Sequence, residues 1–228
     1  MSEAKHDKSK LHYQLDRISF FSDGVFAIAI TLLVIEFKVP VIEQATDELL
    51  WHSLAHMGLK LLGFIISFFI VGYYWSVHHR IFGYVDNYTS RLIWLNLLFL
   101  FSVVLLPFSS GLLGEYTSNS ALHLPYGIYV ANIVLTAIMN VVLWLYVSNP
   151  SKHLLTHQIS PERIRLGLYF TFVVPVIFVL SFLVSLKLPL IGRLIPALIP
   201  IALKYGLNGL AKRAHEKEAS RKKNEITT

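Results

Sequence analysis

Cysteine is absent from this chain of 228 residues, and charged residues make up only 15% of it. Without cysteine there is no disulfide framework and no thiolate metal site. So few charges, together with 54% hydrophobic residues and a mean hydropathy of +0.57, lie outside the usual composition of a soluble domain. The composition therefore predicts an integral membrane protein.

Sequence motifs of enzymes and of metal sites are also missing. The apolar stretches contain no Ser-His-Asp order, Gly-rich phosphate loop or paired carboxylates, so no residue set is a candidate for catalysis. His52 and His56 have the i, i+4 spacing that places two imidazoles on one helical face, but no Glu follows the first histidine as in HExxH. We therefore expect an exposed helical face there, with no enzymatic activity, no cofactor and no bound metal.

Six apolar stretches come close to the ~20 residues that a helix needs to cross a bilayer. They cover residues 18–37, 58–78, 92–113, 123–147, 164–186 and 188–206. The sixth is the weakest because Pro189, Pro196 and Pro200 interrupt it, so we expect it to pack against protein that satisfies the freed carbonyls. Thr46 followed by two acids predicts a cap from which the second helix continues to about Phe82. The sequence thus predicts an all-α polytopic membrane protein with six transmembrane helices.

The distribution of lysine and arginine, which are retained on the cytoplasmic side of a membrane, predicts the orientation. With both termini inside, the inner segments carry 16 of the 20 basic side chains. The four that fall outside are Lys38, Lys60, Lys187 and Arg193. We therefore expect cytoplasmic N- and C-termini, a transmembrane domain over 1–206 and a basic tail over 207–228. Topology and contact with anionic membrane lipid explain the positive charge, so no nucleic-acid partner is expected.

An aspartate lies unusually early inside the first apolar run. Ser22 and Asp23 follow Phe20-Phe21 directly, and a carboxylate near hydrocarbon needs a partner from the protein interior. The candidates lie at the same predicted depth: His78 or His79 at the inner end of helix two, Asn96 on helix three, and Arg17. Adjacent histidines point about 100° apart, so only one of them is expected to face Asp23. Interfacial Trp75, His79 and Arg80 also fit an ordinary aromatic and basic belt.

The order Arg17-x-x-x-Phe21-Ser22-Asp23, followed by an apolar helix with a threonine, resembles the first helix of the endosomal/lysosomal potassium channel family, the transmembrane protein 175 type, and in particular its single-repeat prokaryotic members. Trp75, the two histidines and Asn96 resemble that family's pattern as well. The resemblance implies a homotetrameric channel in the cell membrane of a bacterium or archaeon, with its pore lined by helix one. Such channels lack a glycine-rich carbonyl filter, and no TVGYG-like stretch occurs here.

A helical wheel of the first helix places one set of side chains on a single face. Ile28, Thr31, Leu32 and Ile35 fall within about 50° of one line, whereas Asp23 lies about 140° from Ile28. Without the resemblance, ordinary lipid-facing or core packing is the more common explanation of such an apolar stripe.

The resemblance assigns roles to these residues. Ile28 would form a hydrophobic constriction for potassium and other monovalent cations, Thr31 a hydroxyl ring and Ile35 a second apolar ring. The set expected to hold helix one in register is Arg17, Phe21, Ser22, Asp23, Trp75, His78, His79 and Asn96. The alternative function is a proton-coupled secondary transporter that relays protons through Asp23 and a helix-two histidine.

Overall fold

The computed structural model describes residues 2–43, 46–117, 119, 121–155 and 161–201. Seven α-helices form in this part of the chain: α1 (Ser2–Ile35), α2 (Asp47–His56), α3 (Gly58–Phe82), α4 (Ser90–Glu115), α5 (Leu124–Val147), α6 (Pro161–Ser185) and α7 (Pro189–Leu194). Two short 3₁₀ helices cover Pro150–Lys152 and Ile195–Leu198. The described residues contain no named strand, in agreement with the all-α expectation.

Five of the described helices are long and apolar enough to cross a membrane: α1 from Leu11, α3, α4, α5 and α6 from Ile164. The sixth predicted span is only partly described. Its described part is a short apolar helix over Pro189–Ile201, too short for the ~20 residues that a bilayer requires. The prolines explain its 3₁₀ turn, because each removes a backbone N–H that a continuous helix would use. Residues beyond 201, including the predicted tail, lie outside the described residues, so the count of six spans stays a prediction.

The helix boundaries differ from expectation at two places. Thr46 does cap α2, since its Oγ1 accepts from the Leu49 amide at 3.3 Å, but the expected continuous helix to Phe82 is wrong. The helix is interrupted at Met57, whose amide donates to the Leu54 carbonyl, and α3 begins at Gly58. Glycine disfavours a helix interior, which is the local reason for a break there. The second difference is at the start of α1, which begins at Ser2, well before the predicted apolar stretch at residue 18.

The core of the bundle is centred on α4, which packs against α1, α3 and α5, while α6 packs on α5 and α7. Burial follows this order, because α4 and α5 are the most buried spans and α1 is the least. Aromatic and branched side chains fill the centre, among them Tyr74, Phe99 and Ile133. The helix to which the resemblance assigns the pore is therefore the least buried of the five spanning helices in the described part of the chain.

Buried polar side chains join the helices at several depths, as expected where hydrocarbon offers no alternative partner. Ser67 on α3 bonds to Tyr129 on α5 at 2.9 Å, Asn132 on α5 donates to Ser109 on α4 at 3.0 Å, and Thr171 on α6 donates to Asn140 on α5 at 3.0 Å. These bonds fix α3 to α6 as the frame against which α1 lies.

Candidate pore helix and its polar support

The helix α1 has two distinct faces within one subunit. Ser22, Phe26, Ala29 and Leu33 are buried against the bundle. Their spacing of four, three and four residues is that of a single helical stripe. The sequence dictates this stripe, because small Ser and Ala alternate with large Phe and Leu and so allow close approach to α4. One face of α1 is therefore fixed to its own subunit.

The other face of α1 carries the side chains predicted to line a pore. Ile28 is 61% exposed, Leu32 38% and Ile35 67%, and Thr31 is exposed with them. This stripe lies about 140° around the helix from the buried stripe at ~100° per residue. The four predicted residues thus share one face and point away from their own subunit.

The Thr31 hydroxyl is turned toward its own helix. Its Oγ1 lies 2.9 Å from the Ala27 carbonyl and 2.9 Å from the Ile28 carbonyl. A hydroxyl has one proton to donate and two acceptor lone pairs. Because the proton is directed to the backbone, the oxygen presents acceptor lone pairs on the exposed stripe.

A chain of hydrogen bonds links α3 through α4 to the buried face of α1. His78 Nε2 lies 2.8 Å from Asn96 Oδ1, Asn96 Nδ2 donates to Ser22 Oγ at 2.9 Å, and Ser22 Oγ donates to the Ile18 carbonyl at 2.8 Å. An amide oxygen accepts only, so the imidazole donates from Nε2. All three bonds therefore run in one direction, from α3 to the backbone of α1.

The imidazole of His78 is enclosed by aromatic rings. It is 1% exposed, stacks on Phe99 at 5.5 Å with an interplanar angle of 3° and on Phe82 at 4.4 Å, and meets Phe26 at 5.7 Å. His79 is exposed instead. Of the two histidines, His78 is therefore the one in the network.

The partner of Asp23 differs from the one expected. Asp23 Oδ1 accepts from Trp75 Nε1 at 2.9 Å, and the indole stacks on His79 at 5.7 Å. The predicted bond from a histidine or Asn96 to Asp23 is absent from the contacts of the described residues. His78 bonds to Asn96 instead, and Asn96 donates to Ser22. Asp23 lies beside the buried stripe rather than on it, which brings it to the half-exposed indole.

Two further predicted residues lie apart from the network. Arg17 is exposed, with its guanidinium 6.0 Å from the Tyr13 ring, and no contact of the described residues joins it to Asp23. Phe21 is 54% exposed on the side of Ile28. The aromatic rings around His78 were not predicted from the sequence. One of them could have been, because Phe82 lies four residues after His78 on the same helix.

The expected absence of a metal site is not contradicted in the described part of the chain. No group of three or more His, Asp or Glu side chains is placed to hold an ion there. His52 and His56 form only a pair, with ring centroids 5.4 Å apart on exposed α2.

Comparison with known proteins gives a consistent result. Residues 17–107 match the family model described as Endosomal/lysosomal potassium channel TMEM175. The chain is 34% identical to a potassium channel of Streptomyces collinus over 150 residues, which cover 65% of this chain and 71% of the relative. It is 33% identical to the endosomal/lysosomal proton channel TMEM175 of Gallus gallus over 111 residues, covering 46% of this chain and 22% of that protein.

A solved structure resembles most of the fold. The crystal structure of a lysosomal potassium-selective channel TMEM175 homolog from Chamaesiphon minutus superimposes with a TM-score of 0.72 and 28% sequence identity. The match covers 86% of this chain and 99% of that one.

Proposed function

Because this chain belongs to the TMEM175 family of endosomal/lysosomal potassium channels, we propose that it forms a potassium-preferring cation channel. Four copies surround the pore, and α1 of each copy lines it. Both termini face the cytoplasm, and the protein lies in the cell membrane of a bacterium or archaeon.

A reporter fused after Thr228 and another inserted near Thr117 test this orientation, since they should report opposite sides of the membrane.

The observation that carries this proposal is the exposed stripe of α1. Ile28, Leu32 and Ile35 are apolar, yet they are exposed on a helix whose other face is buried. In the four-copy arrangement the stripes converge on the axis and form stacked rings. The two-faced character of α1 supports this arrangement, because one side is held by the subunit and the other is left for its copies.

The rings explain gating and ion preference in physical terms. Ile28 offers no dipoles to replace the hydration shell of an ion, so a narrow ring of four blocks by size and dewetting and conducts only when it widens or wets. One turn away, Thr31 contributes oxygens whose protons are already directed to the backbone. Such oxygens favour cations over anions. Selectivity then comes from these side chains in place of a glycine-rich carbonyl filter.

The polar support holds α1 at a fixed rotation. Ser22 is bonded through Asn96 to His78, and Asp23 is bonded to Trp75 on the same helix α3. Because the two contacts grip α1 at neighbouring residues on different sides, rotation of the helix breaks at least one of them. These two contacts keep the exposed stripe of α1 directed to the pore axis.

Ile28→Asn tests the pore. Four amides in place of four hydrocarbon tips should raise basal potassium flux in reconstituted liposomes, because the constriction becomes wettable. Val34→Asn is the control, since Val34 is 56% exposed but lies about 120° around the helix from Ile28. Equal changes at the two positions, or no flux from intact tetramers of either variant, contradict a pore lined by α1.

The second candidate is proton movement, either as a channel or in a proton-coupled transporter using Asp23 and a helix-two histidine. The animal relatives named as proton channels favour it. The arrangement of side chains favours it less, because Asp23 and His78 engage separate partners. Unitary currents whose reversal potential follows the potassium gradient support the potassium channel, whereas reversal that follows the pH gradient supports proton movement, and transport without unitary currents supports the transporter.

A further inference from the structure

A cavity of about 310 Å³ opens at the end of the bundle opposite the N-terminus of α1. Its walls come from the end of α1, the first turns of α3, the end of α4 and α7. This volume lies within the range of ~300–1,000 Å³ that small-molecule sites occupy. Most of the lining is apolar, including Leu33, Leu59, Leu62, Phe64, Leu190 and Leu194.

One wall of the cavity carries a cation with no counter-charge. Arg193 donates from its two terminal nitrogens to the Thr117 carbonyl at 3.2 Å and the Leu122 carbonyl at 2.8 Å, while its buried Nε has no acceptor. Among the described residues no carboxylate lies within ion-pair distance of this guanidinium. A half-buried charge without a partner is unfavourable. An anionic oxygen that enters the cavity would supply the counter-charge that this guanidinium lacks.

The lining of the cavity also carries an anion without a counter-charge among the described residues. Glu36 at the end of α1 lines the cavity beside Gly111 of α4. It forms no ion pair or hydrogen bond with another described residue. Lys60 also lines the cavity, but it is already paired with Glu115 at 3.3 Å. The cavity thus presents one unpaired cation and one unpaired anion, which together match a zwitterion.

We propose that this cavity binds the phosphoethanolamine headgroup of a phospholipid from the surrounding bilayer. The phosphate accepts from Arg193, and the primary ammonium, which has three donors, donates to Glu36. The acyl chains leave along the exposed Leu59, Leu190 and Leu194. A choline headgroup has no N–H to donate to Glu36, and a glycerol headgroup has hydroxyl donors but no cation, so each matches the two charges of the cavity less well. The bound lipid braces the end of α1 behind Ile35.

Lipid retention by the purified full-length protein tests this site without any measurement of ion flux. Delipidated protein in detergent is mixed with phosphatidylethanolamine, phosphatidylcholine or phosphatidylglycerol of the same acyl chains, and adducts are counted by native mass spectrometry. The wild type should retain phosphatidylethanolamine best. Loss of one charge-assisted hydrogen bond corresponds to about a tenfold change in occupancy. Glu36→Gln should therefore reduce retention of phosphatidylethanolamine to the level of the other two lipids, and Arg193→Gln should reduce retention of all three, because all three carry the phosphate.

Matched variants separate binding from folding. Gly63 lines the cavity and has open space at its Cβ position, so Gly63→Leu fills the cavity without touching either charge. It should abolish retention, whereas Gly72→Leu on the same helix, also with open space and outside the cavity, should not. Lys187→Gln controls for charge at this end of the bundle.

Three results overturn the proposal. They are equal retention of the three lipids by the wild type, retention unchanged by Gly63→Leu, and equal binding of free phosphoethanolamine without acyl chains.

Discussion

At the scale of single residues, the support of α1 combines one buried contact with one half-exposed contact. The bridge through Asn96 lies in a fully packed interior, where His78 and Ser22 are almost completely buried. The bond from Trp75 to Asp23 lies where the indole is 43% exposed. Buried hydrogen bonds are costly to leave unmade, whereas exposed ones are replaced by water. The two contacts should therefore differ in their contribution to stability.

Asn96→Leu should lower the free energy of unfolding more than Trp75→Phe. The first change leaves the His78 donor without a partner in a dry site, which costs about 1–3 kcal/mol. The second frees a carboxylate that water reaches, so about 1 kcal/mol or less is expected. Thermal unfolding of the purified protein in one detergent measures both. Equal losses would mean that the buried bridge is not the principal support of α1.

The contact between Gly111 and Glu36 gives a second prediction at this scale. A Cβ on Gly111 would lie 2.5 Å from Glu36 Oε2 and 2.7 Å from its Cγ, so Gly111→Ala should force the Glu36 side chain to move and should stabilise the protein less than it would with Glu36 absent. In a Glu36→Ala background the same change should be neutral or stabilising, because Ala is better than Gly in a helix by roughly 0.5–1 kcal/mol. A thermal double-mutant cycle measures the coupling, and additive effects would contradict the contact.

The hydrogen-bond partners of Asp23 and Ser22 could be predicted only in part from the sequence. Asp23, a helix-two histidine and Asn96 were predicted to meet because their positions along the helices give the same depth; His78 and Asn96 do bond to each other, but they reach Ser22, and Asp23 bonds to Trp75. Which donor reaches Asp23 depends on the rotation of α3 about its axis and on the packing of Phe82 and Phe99 around His78. Trp75 and His78 are three residues apart and share a face, so the sequence alone does not decide between indole and imidazole.

At the scale of secondary-structure elements, the two threonine caps offer a matched pair. Thr46 caps α2, a helix of ten residues with none buried, and Thr89 caps α4, the most central helix, by accepting from Leu92 at 3.1 Å. Thr89 also bonds to the Tyr146 hydroxyl at 3.0 Å. The same threonine cap therefore stabilises α2, a short exposed helix, and α4, which is packed in the core.

Thr46→Ala should unfold α2 locally without changing global stability. A cap is worth about 1 kcal/mol, and an isolated helix of fewer than ~12 residues is marginal in water. Hydrogen exchange should become faster at α2 amides such as that of Leu49, with no change along α3. Thr89→Ala should instead lower the thermal midpoint of the whole protein. A global loss from Thr46→Ala would show that α2 is docked on another surface.

The spanning helices could be predicted from the sequence because a run of about 20 apolar residues has few alternatives in a membrane. Five predicted spans correspond to α1, α3, α4, α5 and α6. The break at Met57 could not be predicted, since the cap at Thr46 and the apolar run after it read as one continuous helix. The proline-rich sixth stretch is also beyond such reasoning, because tertiary contacts decide how a proline-broken helix is satisfied.

At the scale of the whole molecule, a single subunit leaves an apolar helix face without packing partners from the described part of its own chain. In lipid, exposure of apolar side chains is not unfavourable by itself, so association of subunits depends on close packing. Gly24, Ala27 and Thr31 are small and exposed on or beside the stripe. In the proposed assembly, these small residues would allow neighbouring copies of α1 to approach closely, which large side chains would prevent.

Cross-linking between copies tests this arrangement directly, and the absence of cysteine from the chain makes every introduced thiol unique. Ile28→Cys should form disulfides between copies on mild oxidation, because a disulfide needs Cα atoms within about 7 Å and the proposed narrow ring at the axis would bring them that close. Leu180→Cys on α6 is the control, since Leu180 is 54% exposed, close to the 61% of Ile28, on a helix that packs on α5 and α7. Denaturing gels should show cross-linked dimers for Ile28→Cys and monomers for Leu180→Cys. The reverse pattern, or no cross-linking at Ile28 in intact oligomers, would place the stripe against lipid and leave the pore to another helix.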